Sequence, residues 1–141
     1  MAPTYQERLN SVVTTSLENK SLQEIFQTVE THLLKQMVKS TEGGVCRYRT
    51  STGLMCAVGC LIPDELYSEE LECFSVQVPK QGYAEPKLKL ASDLQPVHDD
   101  FNPEDWAYAL NKVARQWLEV FRLDLLLPTE AQEICHDNSD A

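Results

Sequence analysis

The side chains of this 141-residue chain that could carry chemistry are a few cysteines and one histidine. Cys56 and Cys60 stand four positions apart and would share one face of a helix, and Cys46 would approach them across a hairpin. Three thiolates and His98 could hold zinc in a tetrahedral site. Structural zinc sites usually show two pairs of closely spaced ligands, however, and cysteine is among the most often buried residue types. We therefore expect buried thiols, with no metal and no cofactor.

A cysteine hydrolase is the second interpretation of the same residues. Cys56 or Cys60 would be the nucleophile, His98 the base and Asp99 the orienting group. Asp99 directly follows His98 and would point to another face of a helix, so a simpler role for His98 is to close its helix as an imidazolium at the negative dipole end. The sequence also has no phosphate loop, dinucleotide fingerprint, metalloprotease motif or nucleophile elbow. We assign no catalytic residue, and the prediction leans toward a non-enzymatic protein.

Acidic residues form three clusters in a chain whose formal net charge is −10. That balance disfavours direct binding of nucleic acid, because phosphates would be repelled. A clustered negative surface can instead steer onto a basic partner, although solvated surface and acids at helix starts would explain two of the clusters. The clusters are Asp64, Glu65, Glu69, Glu70 and Glu72; Asp99, Asp100, Glu104 and Asp105; and Glu130, Glu133, Asp137 and Asp140.

Two sets of residues are candidates for partner binding. The first is the acidic set Asp64, Glu65, Glu69, Glu70 and Glu72, which has no basic residue among it. The second is Arg47, Tyr48 and Arg49, which would line either a cleft or the outer face of a hairpin.

Apolar residues at helical spacing predict the elements that position these groups. One stripe covers residues 5–17, and a second covers 22–38 behind a capping box of Ser21 and Glu24, with Gly43-Gly44 as its stop. Asn102-Pro103 starts the clearest helix, whose stripe runs from Trp106 to Phe121.

The remaining segments are shorter. Residues 45–49 and 54–58 would form a β-hairpin around a turn at 50–53, and 64–72 a short acidic helix. Residues 76–78 would form a short strand and 79–86 a loop, and a second capping box, Ser92 with Gln95, would start a helix reaching Phe101.

These elements predict one α+β domain over residues 1–141, mainly α-helical, with two long amphipathic helices and shorter helices packed on a small β-hairpin. Residues 1–20 would be an accessory N-terminal helix, and 129–141 an acidic tail that frays. A composition of 43% hydrophobic and 24% charged residues predicts a packed core rather than disorder. The start lacks a targeting pattern, no apolar run could span a membrane, and five cysteines without an export signal indicate the cytoplasm.

The chain resembles a family of small proteins encoded by tailed bacteriophages, prophages and some bacterial genomes. The resemblance rests on Tyr48-Arg49, on Gly53-Leu-Met-Cys56-Ala-Val-Gly-Cys60-Leu-Ile-Pro-Asp-Glu-Leu-Tyr67, and on Asp93-Leu-Gln95-Pro-Val-His98-Asp99. It extends from the helix at Leu22 to the helix near Phe121, about two thirds of the chain. Many relatives have another residue where Cys60 stands, which speaks against zinc. The family has no assigned activity, so the resemblance implies a phage setting and no mechanism.

Together these observations predict a non-enzymatic cytoplasmic accessory protein, phage-borne, that modulates or inhibits a host protein through its acidic surface. The alternatives are a protein that sequesters a small molecule or nucleotide, and a cysteine/histidine hydrolase or zinc protein. The oligomeric state is not encoded in any pattern of the sequence.

Overall fold

The computed structural model of the chain describes residues 4–73, 75–76 and 86–121, which form a mainly helical α+β fold. Helix α1 covers Tyr5–Leu17 and helix α2 covers Leu22–Gln36. Both begin with a capping box, Thr4 with Glu7 and Ser21 with Glu24, in which each side chain accepts a backbone N–H of the first turn. The predicted spans of both helices are therefore confirmed at their starts.

Helix α2 ends earlier than its apolar stripe. Met37 takes the left-handed conformation at φ 52° and donates its N–H to the Leu33 carbonyl, which closes the helix. Gly43 and Gly44, expected to stop α2, instead form the turn of a hairpin, where both have positive φ.

The hairpin lies earlier in the chain than predicted, because residues 45–46 pair with the segment before them and not with the segment after them. Strand β1 (Thr41–Glu42) pairs antiparallel with strand β2 (Val45–Cys46) across that glycine turn. The expected pairing of 45–49 with 54–58 is reduced to a bridge between Arg49 and Met55 and two flanking backbone hydrogen bonds. Residues after Cys56 turn away because a 3-10 turn begins at Gly59.

The predicted short acidic helix at 64–72 is replaced by two 3-10 turns, and a third 3-10 turn precedes them. They cover Gly59–Leu61, Asp64–Leu66 and Glu69–Cys73. The predicted strand at 76–78 and loop at 79–86 lie almost entirely outside the described residues, as does the predicted acidic tail.

Helix α3 covers Pro86–Asp100 and starts well before the expected capping box. Ser92 and Gln95 are therefore interior residues of α3, and that predicted start is wrong. Pro96 is also an interior residue of α3. Proline has no N–H for the carbonyl four residues earlier, so the Ser92 carbonyl lacks its regular helical partner.

Helix α4 covers Trp106–Phe121 and follows a 3-10 turn at Pro103–Asp105. Its buried side chains include Trp106, Leu110 and Trp117, which pack with α2 and α3. Helix α1 adds Leu9, Val13 and Leu17 to the same core, so the expected accessory helix is an integral part of the packing. Among the helices described, none is long and apolar enough to cross a membrane.

Candidate functional site

The two predicted binding sets, the acidic residues 64–72 and the arginines after β2, pack against each other. Arg47 Nη2 lies 2.8 Å from a Glu69 oxygen, and Arg49 Nη1 lies 2.6 Å from Asp64. Arg8 of α1 pairs with Glu70 at 3.0 Å. Each acid in these pairs is largely exposed, and such pairs contribute little stability, but they compensate the charge that was expected to face a partner.

Glu72, which the sequence groups with the exposed acids, is a structural residue. Its side chain is only 7% exposed and accepts the backbone N–H groups of Tyr48 and Arg49 at 2.9 and 3.1 Å. The Tyr67 hydroxyl donates to the same carboxylate. Burial, together with this hydrogen bond and the Glu72 charge, raises the pKa of Tyr67 to about 12. Glu72 therefore ties the last 3-10 turn to the strand-like segment 47–49.

The three residues after β2 do not share one face. Tyr48 is 7% exposed and points into the fold, where burial raises the pKa of its phenol. Arg49 stacks on the Tyr67 ring, 4.7 Å from its centroid, and donates to the Ile62 carbonyl. Glu65 of the acidic set is exposed, with no ion pair to any residue of the described ranges. The candidate residues thus divide into a network of ion pairs, a buried anchor and one exposed acid.

A cavity of about 330 Å³ opens between the segment after β2 and helix α3. Arg47, Tyr48 and Glu72 lie on one side of it. Ser92, Gln95, Pro96 and Asp99, at helical spacing on one face of α3, line the other side. Of the three residues considered for a cleft, Arg47 and Tyr48 line this cavity and Arg49 does not, and α3 forms its second wall.

Cys56 and Cys60 are held in a turn that the apolar core covers. Burial raises the pKa of each thiol to about 12, so neither is a thiolate nucleophile at neutral pH. Cys56 Sγ accepts the Gly59 N–H at 3.3 Å, and the Cys60 thiol donates to the Ala57 carbonyl at 3.1 Å. Both thiols close the turn. Cys56 is buried as expected, whereas Cys60 is only partly buried and Cys46 is exposed.

His98 is fully buried, and both of its ring nitrogens are engaged. The Ser40 N–H donates to Nε2 at 2.8 Å, so Nε2 carries a lone pair, and Nδ1 therefore carries the proton that it donates to Asp99 at 2.7 Å. The ring stacks on Trp106 with centroids 5.5 Å apart. The expected imidazolium at the helix end is wrong, because this arrangement requires the neutral ring. Asp99, expected on another face, lies directly beside it.

Cys46, rather than Cys56 or Cys60, completes a cluster with these two residues. The ligand atoms of Cys46, His98 and Asp99 lie within 4.8 Å of one another. Burial and the negative charge of Asp99 raise the pKa of the Cys46 thiol, which makes it a weak nucleophile. A metal ion or a catalytic proton would need a lone pair on His98, and the Ser40 N–H already occupies the one there is. The geometry therefore favours neither the zinc site nor the hydrolase.

Of the two acidic clusters that the structure describes, the one at residues 99–105 has carboxylates without an ion pair. Asp100, Glu104 and Asp105 are exposed at the turn between α3 and α4, and none forms an ion pair with a residue of the described segments. Tyr108, in the first turn of α4, is 61% exposed, and Lys112 lies over its ring. In the sequence this cluster is hard to tell from ordinary helix-start acids, which are common; the signal that sets it apart is the absence of a base between residues 99 and 105.

Comparison with known proteins finds no matching family model, no similar curated protein and no similar solved structure. No related protein therefore supplies a comparison for the geometry of this site.

Proposed function

We propose that this chain is a non-enzymatic accessory protein that binds a basic surface of another protein. The contact would be made by an acidic face consisting of Asp100, Glu104, Asp105 and Tyr108. The observation that carries this proposal is that these three carboxylates are exposed without an ion pair in the described segments, whereas four of the five acids in 64–72 are engaged.

The composition of the face fits a protein interface. Aromatic side chains are enriched among the residues that dominate binding energy. Tyr108 is a large exposed ring that follows Asp105 by three residues and Glu104 by four. Negative charge around such an anchor accelerates association with a positive surface. The face therefore combines a contact residue with a means of steering.

The reactive groups near it support a binding role over catalysis. The pKa of the Cys56 thiol and that of the Cys60 thiol are each about 12, so both are protonated at neutral pH. His98 uses both ring nitrogens for hydrogen bonds within the fold. The Cys46 thiol beside Asp99 is a weak nucleophile, because burial and the negative charge of Asp99 raise its pKa.

The resemblance to phage-encoded proteins supplies the proposed setting. The chain would act in the cytoplasm of an infected bacterium and would modulate or inhibit a host protein. Direct contact with nucleic acid is disfavoured by the net charge of −10.

The test compares three baits in a pull-down from bacterial lysate. The first is the unmodified chain, the second carries Asp100→Asn, Glu104→Gln and Asp105→Asn, and the control carries Glu65→Gln, Glu69→Gln and Glu70→Gln. Both variants lose the same number of charges, and circular dichroism confirms that each is folded. We expect a partner that the unmodified chain and the control retain and the acidic-face variant loses.

Association rates with the purified partner then measure steering. The rate should fall as salt rises, because exposed charges are screened beyond about 8 Å at physiological ionic strength. The acidic-face variant should associate more slowly and depend less on salt. Equal rates for all three proteins at low and high salt would refute the proposed face, and a loss confined to the control would move the interface to residues 64–72.

A further inference from the structure

Helix α2 carries an open groove outside its buried stripe. The groove has a volume of about 450 Å³, and its lining begins with Lys20, before the helix, and ends with Lys35 in the last turn. At about 1.5 Å a residue, it follows α2 for about 20 Å. Thr28 and Thr31 line it between the two lysines. The groove is therefore polar along its length, with a cation at each end.

The charge of these two lysines is not compensated by the described part of the chain. Neither Lys20 nor Lys35 forms an ion pair with a residue of the described segments. Glu24, the carboxylate of the lining, accepts the Ser21 N–H at 2.9 Å as part of the capping box. Two lysines and one glutamate give the groove a formal charge of +1 in a chain of −10. The matching occupant is therefore negatively charged.

Helix α4 ends on the side of the molecule where α3 begins. At the start of α4 the Trp106 ring stacks on His98, which lies near the end of α3. Further along α4, Trp117 donates to Asp93 in the middle of α3. The two helices are therefore antiparallel, and the last residue of α4, Phe121, lies toward the start of α3.

The start of α3 lies against the corner between α1 and α2. Lys87, in the first turn of α3, donates to the carbonyl of Glu18 at 3.1 Å. Hydrogen bonds with Ser21, and after them the charges of Lys20 and Lys87, lower the pKa of Glu24, so both lysines lie close to this end of the groove. The chain therefore leaves α4 on the side of the molecule that holds these lysines.

The sequence supplies a segment of opposite charge within reach. Residues 129–141, which lie outside the described residues, carry no lysine or arginine and four acids, Glu130, Glu133, Asp137 and Asp140. The chain between Phe121 and Glu130 can span up to about 30 Å, which exceeds the length of the groove. Charge complementarity and reach thus favour the acidic segment of the chain itself as the occupant.

We propose that the acidic segment 129–141 docks in the α2 groove of its own chain. Its carboxylates would pair with Lys20 and Lys35, and the hydroxyls of Thr28 and Thr31 would donate to them, since hydrogen bonds to an ionised acceptor are stronger than neutral ones. The sequence alone predicts that this segment frays, whereas docking holds it on α2. The groove is separate from the proposed acidic face and does not depend on it.

Cross-linking of the full chain with a water-soluble carbodiimide tests the contact directly. The reagent joins a lysine amine to a carboxylate as an amide and takes up the water that is lost, so groups in contact are linked. Mass spectrometry should find links from Lys20 and Lys35 to acids of 129–141. Lys112 is the control, because it is exposed and lies nine residues before the end of α4, within the same reach.

Two-dimensional NMR of the labelled chain measures docking without a reagent. The resonances of Thr28 and Thr31 should move between about 0.05 M salt, where exposed charges act over more than about 10 Å, and about 1 M salt, where they are screened beyond about 3 Å. The variant Glu130→Gln, Glu133→Gln, Asp137→Asn should hold the high-salt positions at low salt. The control Glu65→Gln, Glu69→Gln, Glu70→Gln loses the same number of charges and should behave as the unmodified chain.

Two results would refute docking even if every variant folds as judged by circular dichroism. The first is linking of Lys112 as extensive as that of Lys20 and Lys35. The second is Thr28 and Thr31 resonances that the two variants affect equally or not at all. Links and shifts that disappear on dilution would place the segment of a second copy in the groove, which would also overturn docking within one chain.

Discussion

At the scale of single residues, Gly59 explains the Cys-Ala-Val-Gly-Cys stretch without any metal. A Cβ added at Gly59 would lie 2.0 Å from the Tyr48 carbonyl oxygen, far inside van der Waals contact. The Cys56 N–H donates to that same carbonyl at 3.2 Å. The two segments can approach this closely only because position 59 has no side chain.

Gly59→Ala should therefore destabilise the fold by about 3 kcal/mol, since backbone on both sides must move. Gly44→Ala is the control, because its added Cβ meets no atom within 4 Å and it bears only the strain of φ +80°. That strain should cost about 1 to 2 kcal/mol. Urea unfolding measures both, and a Gly59→Ala loss no larger than that of the control would contradict the close approach.

The buried thiols predict a stability loss at alkaline pH. The pKa values of Cys56 and Cys60 rise to about 12 in the fold, against about 8.5 in an unfolded chain. Above the unfolded value the unfolded state binds fewer protons, so stability is complete below about pH 8.5 and falls as pH rises toward 12.

Each thiol should contribute a slope of about 1.4 kcal/mol per pH unit in that window. Urea unfolding between pH 8 and pH 11 measures the slope, and the double variant Cys56→Ala, Cys60→Ala should reduce it. An unchanged slope in the double variant would show that the thiols titrate as exposed groups.

At the scale of elements, Glu72 joins the 3-10 turn Glu69–Cys73 to the segment after β2. Glu72→Gln should destabilise the fold by about 2 kcal/mol, because a buried charged acceptor of two backbone N–H groups is lost and an amide donor takes its place. Glu69→Gln, at a side chain 78% exposed, should change stability by less than about 0.5 kcal/mol. Thermal unfolding of the two variants measures this difference in stability. Equal losses would show that Glu72 contributes no more than an exposed carboxylate.

Ion pairs also join the acidic 3-10 turns to the segment after β2. Two acids, Asp64 and Glu69, meet Arg49 and Arg47 across more than ten residues of chain. The pairing arises because the 3-10 turns bring the acids back beside the segment they follow. The acidic and basic runs look like separate binding surfaces in the sequence, but in the fold they pair with each other at the surface.

At the scale of the whole molecule, Trp117 connects two helices of the core. It is 1% exposed and donates its indole N–H to Asp93 of α3 at 2.9 Å. Trp117→Ala should destabilise the fold by about 3 to 5 kcal/mol, a large share of the margin of a small domain. Tyr108→Ala, on the exposed side of α4, should cost less than about 0.5 kcal/mol.

Denaturant unfolding followed by circular dichroism compares the two variants. A loss below about 1 kcal/mol for Trp117→Ala would show that the tryptophan is not part of the packed core. A large loss for Tyr108→Ala would show that this residue packs within the fold, and it would remove the aromatic anchor from the acidic face.

Three of the four helices can be predicted from the sequence, because their signals are local. The stripes of α1 and α4 and the capping box at Ser21 depend on residues within a few turns, so helical periodicity and cap chemistry suffice. The start of α3 was missed because Ser92 and Gln95 imitate a cap in the middle of a helix that tertiary packing holds together despite Pro96.

The candidate site, in contrast, depends on long-range contacts that the sequence does not reveal. That Arg47 meets Glu69, that the Ser40 N–H fixes the neutral form of His98, and that Asp99 faces a cavity are contacts between residues far apart in sequence. No local pattern specifies them, because charge and hydrogen-bonding capacity are properties of a residue type, whereas their compensation depends on which distant group the folded chain brings within reach.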